Sequence, residues 1–181
     1  MTRTRSGQND PTTAVFRADA VAIVTGGSVG TGREVARGLA SWGWAIVAVY
    51  LEHQRTAEAT VAEILDAGGK IVTVRADLAD DLDVQRLFAE SRAAFAGVDV
   101  VVHTTPDDAS LLYRYAARSI RGGGALVSVS AADRVAPAVA RVLRERGIAV
   151  GRAPPQELLL FLDNWRRQVA GSGWARGLQS S

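Results

Sequence analysis

From Val21 onward, runs of consecutive apolar residues alternate with longer segments whose apolar residues recur every three or four positions. The runs are Val21–Thr25, Ala45–Val49, Lys70–Arg75, Val98–His103, Gly124–Ser130 and Ile148–Val150. Most are apolar at successive positions, the pattern of parallel strands covered on both faces. Between them Val35, Leu39 and Trp42 share a helical face, as do Val61, Ile64 and Leu65, and then Val84, Leu87, Phe88 and Phe95. Gly43 and the pair Gly68-Gly69 stand where helix ends need glycine. Repeated strand–helix–strand units predict an α/β fold, a doubly wound parallel sheet of about six strands with right-handed crossovers.

Beyond the last run, Pro154-Pro155 precedes Leu158, Phe161, Leu162, Trp165 and Val169. Proline at a first helical position followed by this spacing predicts a final helix packed on the core. Residues 1–17 are polar and broken by Gly7 and Pro11, and 171–181 read "GSGWARGLQSS". The expected organisation is a flexible tail over 1–17, one domain over 18–170 and a second flexible tail over 171–181.

Composition narrows the function classes. Of the 181 residues 48% are apolar, a globular composition. The 21 basic and 19 acidic side chains nearly balance, and no basic block stands out, so nucleic acid is not an expected partner. Cysteine is absent, which removes disulfides, thiolate metal sites and cysteine nucleophiles. His53 and His103 are the only histidines, and nothing has metal-ligand spacing. No run is long enough to cross a bilayer, and no apolar signal core follows the N-terminal arginines. A cytoplasmic protein is the expectation.

The stretch Thr25-Gly26-Gly27-Ser28-Val29-Gly30-Thr31-Gly32 follows the first strand and opens the first helix. Gly26 suits a tight turn, Gly30 a close approach of backbone to a pyrophosphate, and Gly32 tight packing of helix on strand. A helix N-terminus then presents N–H groups and a positive dipole end to the phosphates. Strand, glycine loop and helix stand in the order that a dinucleotide site requires.

On these residues the chain resembles the short-chain dehydrogenase/reductase family, a Rossmann-like fold. Residues 21–50 are similar to its first strand, Thr-Gly-x-x-x-Gly-x-Gly loop, first helix and second strand. Asp77-Leu78 match the family's Asp-Leu/Val pair, and the resemblance implies that the acidic side chain meets the adenine. "GVDVVVHTTP", "GGGALVSVSAA" and "RERGIAVGRAPP" resemble its fourth, fifth and sixth strands. The likeness implies a nicotinamide dinucleotide held by Thr25, Gly26, Ser28, Val29, Gly30, Gly32, Tyr50, Arg55, Asp77, Leu78 and Thr104.

The family's catalytic pair is Tyr-x-x-x-Lys, assisted by a serine and an asparagine. Four residues after Tyr50, Tyr113 and Tyr115 stand Gln54, Ala117 and Ser119, and the single lysine, Lys70, begins the third strand. The pair is absent. Sixteen residues separate Ser130 from Gly147, too few for the family's catalytic helix, so the C-terminal half is read as shortened. His103-Thr104-Thr105-Pro106 replaces the family's Asn-Asn-Ala-Gly, with proline where the family has glycine. Ser130, His103 and Tyr113 are the substitute acid/base candidates. Asp107-Asp108 read as a helix-start cap.

At the end of the second strand Tyr50 is neutral, Arg55 could meet a 2′-phosphate and Glu52 would repel one; the balance leans to NADP over NAD. Three readings stand: a divergent NAD(P)-dependent oxidoreductase using substitute residues, a cofactor-binding or accessory protein with a degenerate catalytic site, and a structural remnant that binds nothing. The intact loop and Asp77 weigh against the third and the missing pair against the first, which favours the second. The nucleotide is the expected partner. A protein partner or a homo-oligomer would use an interface other than the family's fourth and fifth helices, which are shortened.

Overall fold

The computed structural model describes residues 20–130 and 133–171. The expected tail over 1–17, and residues 172–181 of the second, lie outside the described residues. Gly171 itself ends a helix.

Six parallel strands form one sheet: β1 (Val21–Thr25), β2 (Ala45–Tyr50), β3 (Lys70–Arg75), β4 (Val98–His103), β5 (Ile120–Ser128) and β6 (Ala149–Arg152), in the order β3-β2-β1-β4-β5-β6. Six α-helices connect and follow them: α1 (Gly30–Ser41), α2 (Gln54–Asp66), α3 (Asp81–Phe95), α4 (Ser110–Ser119), α5 (Pro137–Glu145) and α6 (Leu158–Gly171). The strand pairs run in register from Val21↔Ala45 and Ala45↔Lys70 outward. Because β1 and β4 are neighbours while their successors wind apart, a crevice opens at their carboxyl ends, the switch point where such sheets take ligands.

Alternate strand positions feed two cores. Val21, Ile23, Val47 and Val101 face α3, α4 and α5, with Leu87, Phe88, Leu112 and Leu143 completing that layer. Ala22, Val24, Ile46 and Val102 face α1, α2 and α6, with Leu39, Ile64, Leu158 and Leu162. Consecutive apolar residues in one strand therefore serve opposite faces. Helix α3 is well bounded: the Asp80 carboxylate accepts from Leu82 N and Asp83 N at its start, and Arg92 stands in its last turn.

Several boundaries differ from expectation. The fifth strand begins at Ile120 and ends at Ser128, where the glycines had suggested Gly124–Ser130. Its pairing starts at Val98↔Ile120 and shifts register before Val100. At that irregularity a side chain on Gly124 would stand 2.2 Å from the Asp99 carbonyl oxygen, so glycine is a packing requirement inside the strand and not a break before it. The sixth strand starts one residue late, at Ala149. Pro155 opens a short 3₁₀ turn, Pro155–Glu157, and the α-helix follows from Leu158. In α2, Leu65 points to solvent, and Ala57, Thr60 and Ile64 form the buried face.

Helix α6 packs Leu158, Leu162 and Trp165 into the second core, as its spacing predicts, with Phe161 half-buried. The side chain of Val169 lies outside the described part. Trp165 meets fully buried Trp44 edge-to-face at 6.1 Å, and Trp44 meets Trp42 at 5.8 Å. Among the described residues no helix is long and apolar enough to cross a membrane, and no group of three or more histidine or acidic side chains is placed to hold a metal ion.

Candidate nucleotide site

The glycine loop is built by close approach. Gly26 has φ +59°, and Val29 N donates to its carbonyl, closing a tight turn after β1. A side chain at Gly32 would lie 2.2 Å from that carbonyl oxygen, so only glycine lets α1 begin there. Val29 is the extended residue before α1, its side chain half in solvent, and no side chain caps the helix. There is no acidic residue in the first turn. The N–H groups and positive dipole end of α1 are thus presented at the carboxyl end of the sheet without a competing side chain. That cradle fits a pyrophosphate.

The loop is held from a distance. Thr104 N donates to Thr25 Oγ1 at 2.9 Å, and Thr104 Oγ1 donates to Thr25 O at 2.6 Å. Because the Asp107 carbonyl facing Nε2 can only accept, Nδ1 of the neutral ring is bare and accepts from the Thr25 hydroxyl at 3.0 Å. His103 Nε2–H then donates to Asp107 O at 3.2 Å. The imidazole is fully buried, both nitrogens are engaged, and burial pushes its pKa below the ordinary value. This arrangement holds a neutral ring that ties β1 to the β4–α4 loop.

Thr25, Gly26, Tyr50, Asp77 and Leu78 line one cavity of about 270 Å³ beside the loop, together with Val49, Leu51, Ala76, Ala79, Thr105, Asp107 and Asp108. Asp77 is half-buried there, its Oδ1 accepting from Ala79 N while its own N–H donates to Asp83. Ser28 is turned into the protein, where its carbonyl accepts from Thr60 Oγ1. Arg55 does not share this cavity: it opens onto a separate surface hollow with His53, Gln54, Thr56 and Glu58. Thr105, Asp107 and Asp108 were not foreseen as wall residues. Their position just past the carboxyl end of a central strand was the available signal. Asp108 also steadies the start of α4, its carboxylate accepting from Ser110 N and Oγ.

A second hollow, of about 400 Å³, lies across the Asp107-Asp108 ridge and is lined by Ser110, Tyr113, Ser130, Asp133 and Arg134 among others. Asp133 Oδ2 accepts from Tyr113 OH at 2.9 Å and from Ser128 Oγ, and stands 3.8 Å from His103 Nε2. The Tyr113 and His103 rings meet edge-to-face at 5.9 Å. Burial drives the Tyr113 phenol well above its ordinary pKa, so it stays protonated on Asp133. Ser130 donates its amide to Ser128 Oγ. The candidates Ser130 and Tyr113 thus share one hollow, with His103 packed beneath, and Ser128 and Asp133 join them unforeseen. Tyr113 is buried; Tyr115 is half-buried, stacked on Phe88 with its hydroxyl on Asp81.

Comparison with known proteins follows this division. Residues 20–106 match the sequence profile of the short chain dehydrogenase family. A 3-oxoacyl-[acyl-carrier-protein] reductase of Synechocystis sp. is 37% identical over 83 residues, 46% of this chain and 34% of that protein. A hydroxynaphthalene reductase-like protein of Metarhizium robertsii is 37% identical over 82 residues, 45% of this chain and 31% of its own length. The match therefore spans about a third of these relatives. Among solved structures, a dehydrogenase/reductase from Sinorhizobium meliloti superposes with a TM-score of 0.63 at 26% identity, over 78% of this chain and 73% of that one. A short chain dehydrogenase from Burkholderia cenocepacia, in complex with NADP, shares the fold with a TM-score of 0.64 at 24% identity, over 76% of this chain and 74% of its own.

Proposed function

We propose that the chain is a member of the short-chain dehydrogenase/reductase family, whose profile residues 20–106 match, and that it binds the adenosine diphosphate half of NAD(P)(H). The observation that carries this reading is the contact at Gly32, where helix and turn approach too closely for any side chain and leave the N-terminus of α1 uncapped. Gly26, Gly30 and Gly32 hold the pyrophosphate, and Tyr50, Asp77 and Leu78 wall the adenosine. When bound, the dinucleotide would supply a hydride donor or acceptor.

The protein acts as a cofactor-binding or accessory protein with a degenerate catalytic site. Its Tyr-x-x-x-Lys pair is absent from the sequence, and Tyr113 has its proton bound to a carboxylate within a buried network. A second reading rests on the hollow itself. Tyr113, Ser128, Ser130 and Asp133 meet at the carboxyl end of β5, where a divergent oxidoreductase would need an acid. In that case Tyr113 donates the proton, Asp133 and Ser128 position it, and His103 holds the loop.

Titration with NADH and NADPH, following nicotinamide fluorescence, tests binding; a saturable signal with at least one is expected, and none with either would overturn the reading and leave a structural remnant. Turnover on a panel of ketones and β-ketoacyl thioesters separates the other two. No turnover is expected. Turnover that falls in Tyr113→Phe and Ser130→Ala would replace the accessory role by the oxidoreductase.

A further inference from the structure

We infer that the cleft selects an unphosphorylated adenosine ribose and therefore takes NAD(H) over NADP(H), through carboxylates contributed by the β4–α4 loop. This rests on the proposed nucleotide site and adds its specificity. Three carboxylates line the cavity, Asp77, Asp107 and Asp108, and no arginine, lysine or histidine is among its lining residues. Glu52, exposed just past β2, adds a fourth acid at that end of the sheet.

The nearest cations do not line the cavity. Arg55 opens onto another hollow, on the first turn of α2. Arg75, at the end of β3, donates its Nε–H to the Leu51 carbonyl at 3.1 Å and lies beside Asp83. Arg33, the first arginine of α1, is bound to Glu63 at 2.6 Å. Val29 supplies no charge in the loop.

The chemistry of the wall is that of a hydrogen-bond acceptor. Carboxylates accept from ribose hydroxyls and from an exocyclic amine, and a phosphate monoester offers neither while carrying nearly two negative charges. Thr105 lines the same cavity, and its Oγ1 is buried without a hydrogen-bond partner among the described residues. Asp107 and Asp108 are exposed, so their repulsion of a phosphate is screened by salt.

The test compares NADH with NADPH by fluorescence, and ADP-ribose with its 2′-phosphate by calorimetry. The expected result is tighter binding of the unphosphorylated member of each pair, by about tenfold at low ionic strength and less at about 0.5 M salt. In Asp107→Asn/Asp108→Asn the ratio should fall at least about threefold. Two like charges are removed there, while the amide oxygen introduced by Asp108→Asn can still accept from Ser110. Equal binding, tighter NADPH, or a ratio unmoved by both salt and the double substitution would overturn this inference and leave the nucleotide site standing. No binding of any of the four would overturn the nucleotide site itself.

Discussion

Gly32 sits in the first turn of a helix, where alanine is ordinarily better than glycine by up to about 1 kcal/mol. Here the added carbon would meet the Gly26 carbonyl carbon at 2.5 Å and Thr104 Oγ1 at 2.8 Å as well as the carbonyl oxygen. The steric term outweighs the propensity. Gly32→Ala should lower stability by about 1–3 kcal/mol in urea unfolding, and should weaken nucleotide binding more than it weakens the fold. His103 gives a pH dependence with a definite sign. Its pKa is depressed in the folded protein from the ordinary 6.5, so the folded state binds fewer protons than the unfolded one. Its contribution is intact above that value and is lost as pH falls below it toward the folded pKa. Buried Asp99 works in the opposite sense, since burial raises its pKa even with Arg121 on it. The difference between wild type and His103→Gln isolates the imidazole. Urea midpoints should fall more steeply for wild type than for the variant below about pH 6.5.

Elements were the most legible level, and the reasons for the exceptions are local. Val21–Thr25, Lys70–Arg75 and Val98–His103 read correctly to the residue because each is a short run rich in β-branched residues. The start of β5 was hidden because Gly122-Gly123-Gly124 carries the composition of a turn, while a neighbouring strand's carbonyl dictates the glycine. Leu65 misled because a leucine beside a buried isoleucine fits a helical face on paper but lies outside the arc that Ala57, Thr60 and Ile64 actually bury. Helix α6 is the element on which one sheet face depends. Leu158 and Leu162 have no exposed surface, and Gly151 gives room to Phe161, whose Cζ stands 2.2 Å from where a side chain on that glycine would begin. Leu162→Ala should cost about 2–5 kcal/mol in chemical denaturation, while substitution of exposed Leu160 should cost little.

At the scale of the whole molecule, the loop Thr25–Gly32 was legible because its motif is written in consecutive residues. Tyr50, Asp77 and Leu78 were legible too, but the hydrogen bonds that link the site were not, because they are assembled by topology. Thr25 meets His103 and Thr104 across 78 and 79 positions, and Tyr113, Ser128 and Asp133 converge from a helix, a strand end and the loop beyond it. No periodicity marks residues whose only link is a shared hydrogen bond. The same holds for Asp99, which accepts from Val21 N and from Arg121 and so ties the starts of β1, β4 and β5 together beneath the sheet. The chain thus carries a sheet centre whose two middle strands are far apart in sequence. During synthesis the glycine loop leaves the ribosome some 79 residues ahead of the Thr104 amide and hydroxyl that fasten it. Until that second segment arrives, β1 has only β2 beside it, and the anion cradle has no anchor on its far side. The proposed nucleotide recognition would therefore be a late event in the birth of this protein, although the residues that announce it come first.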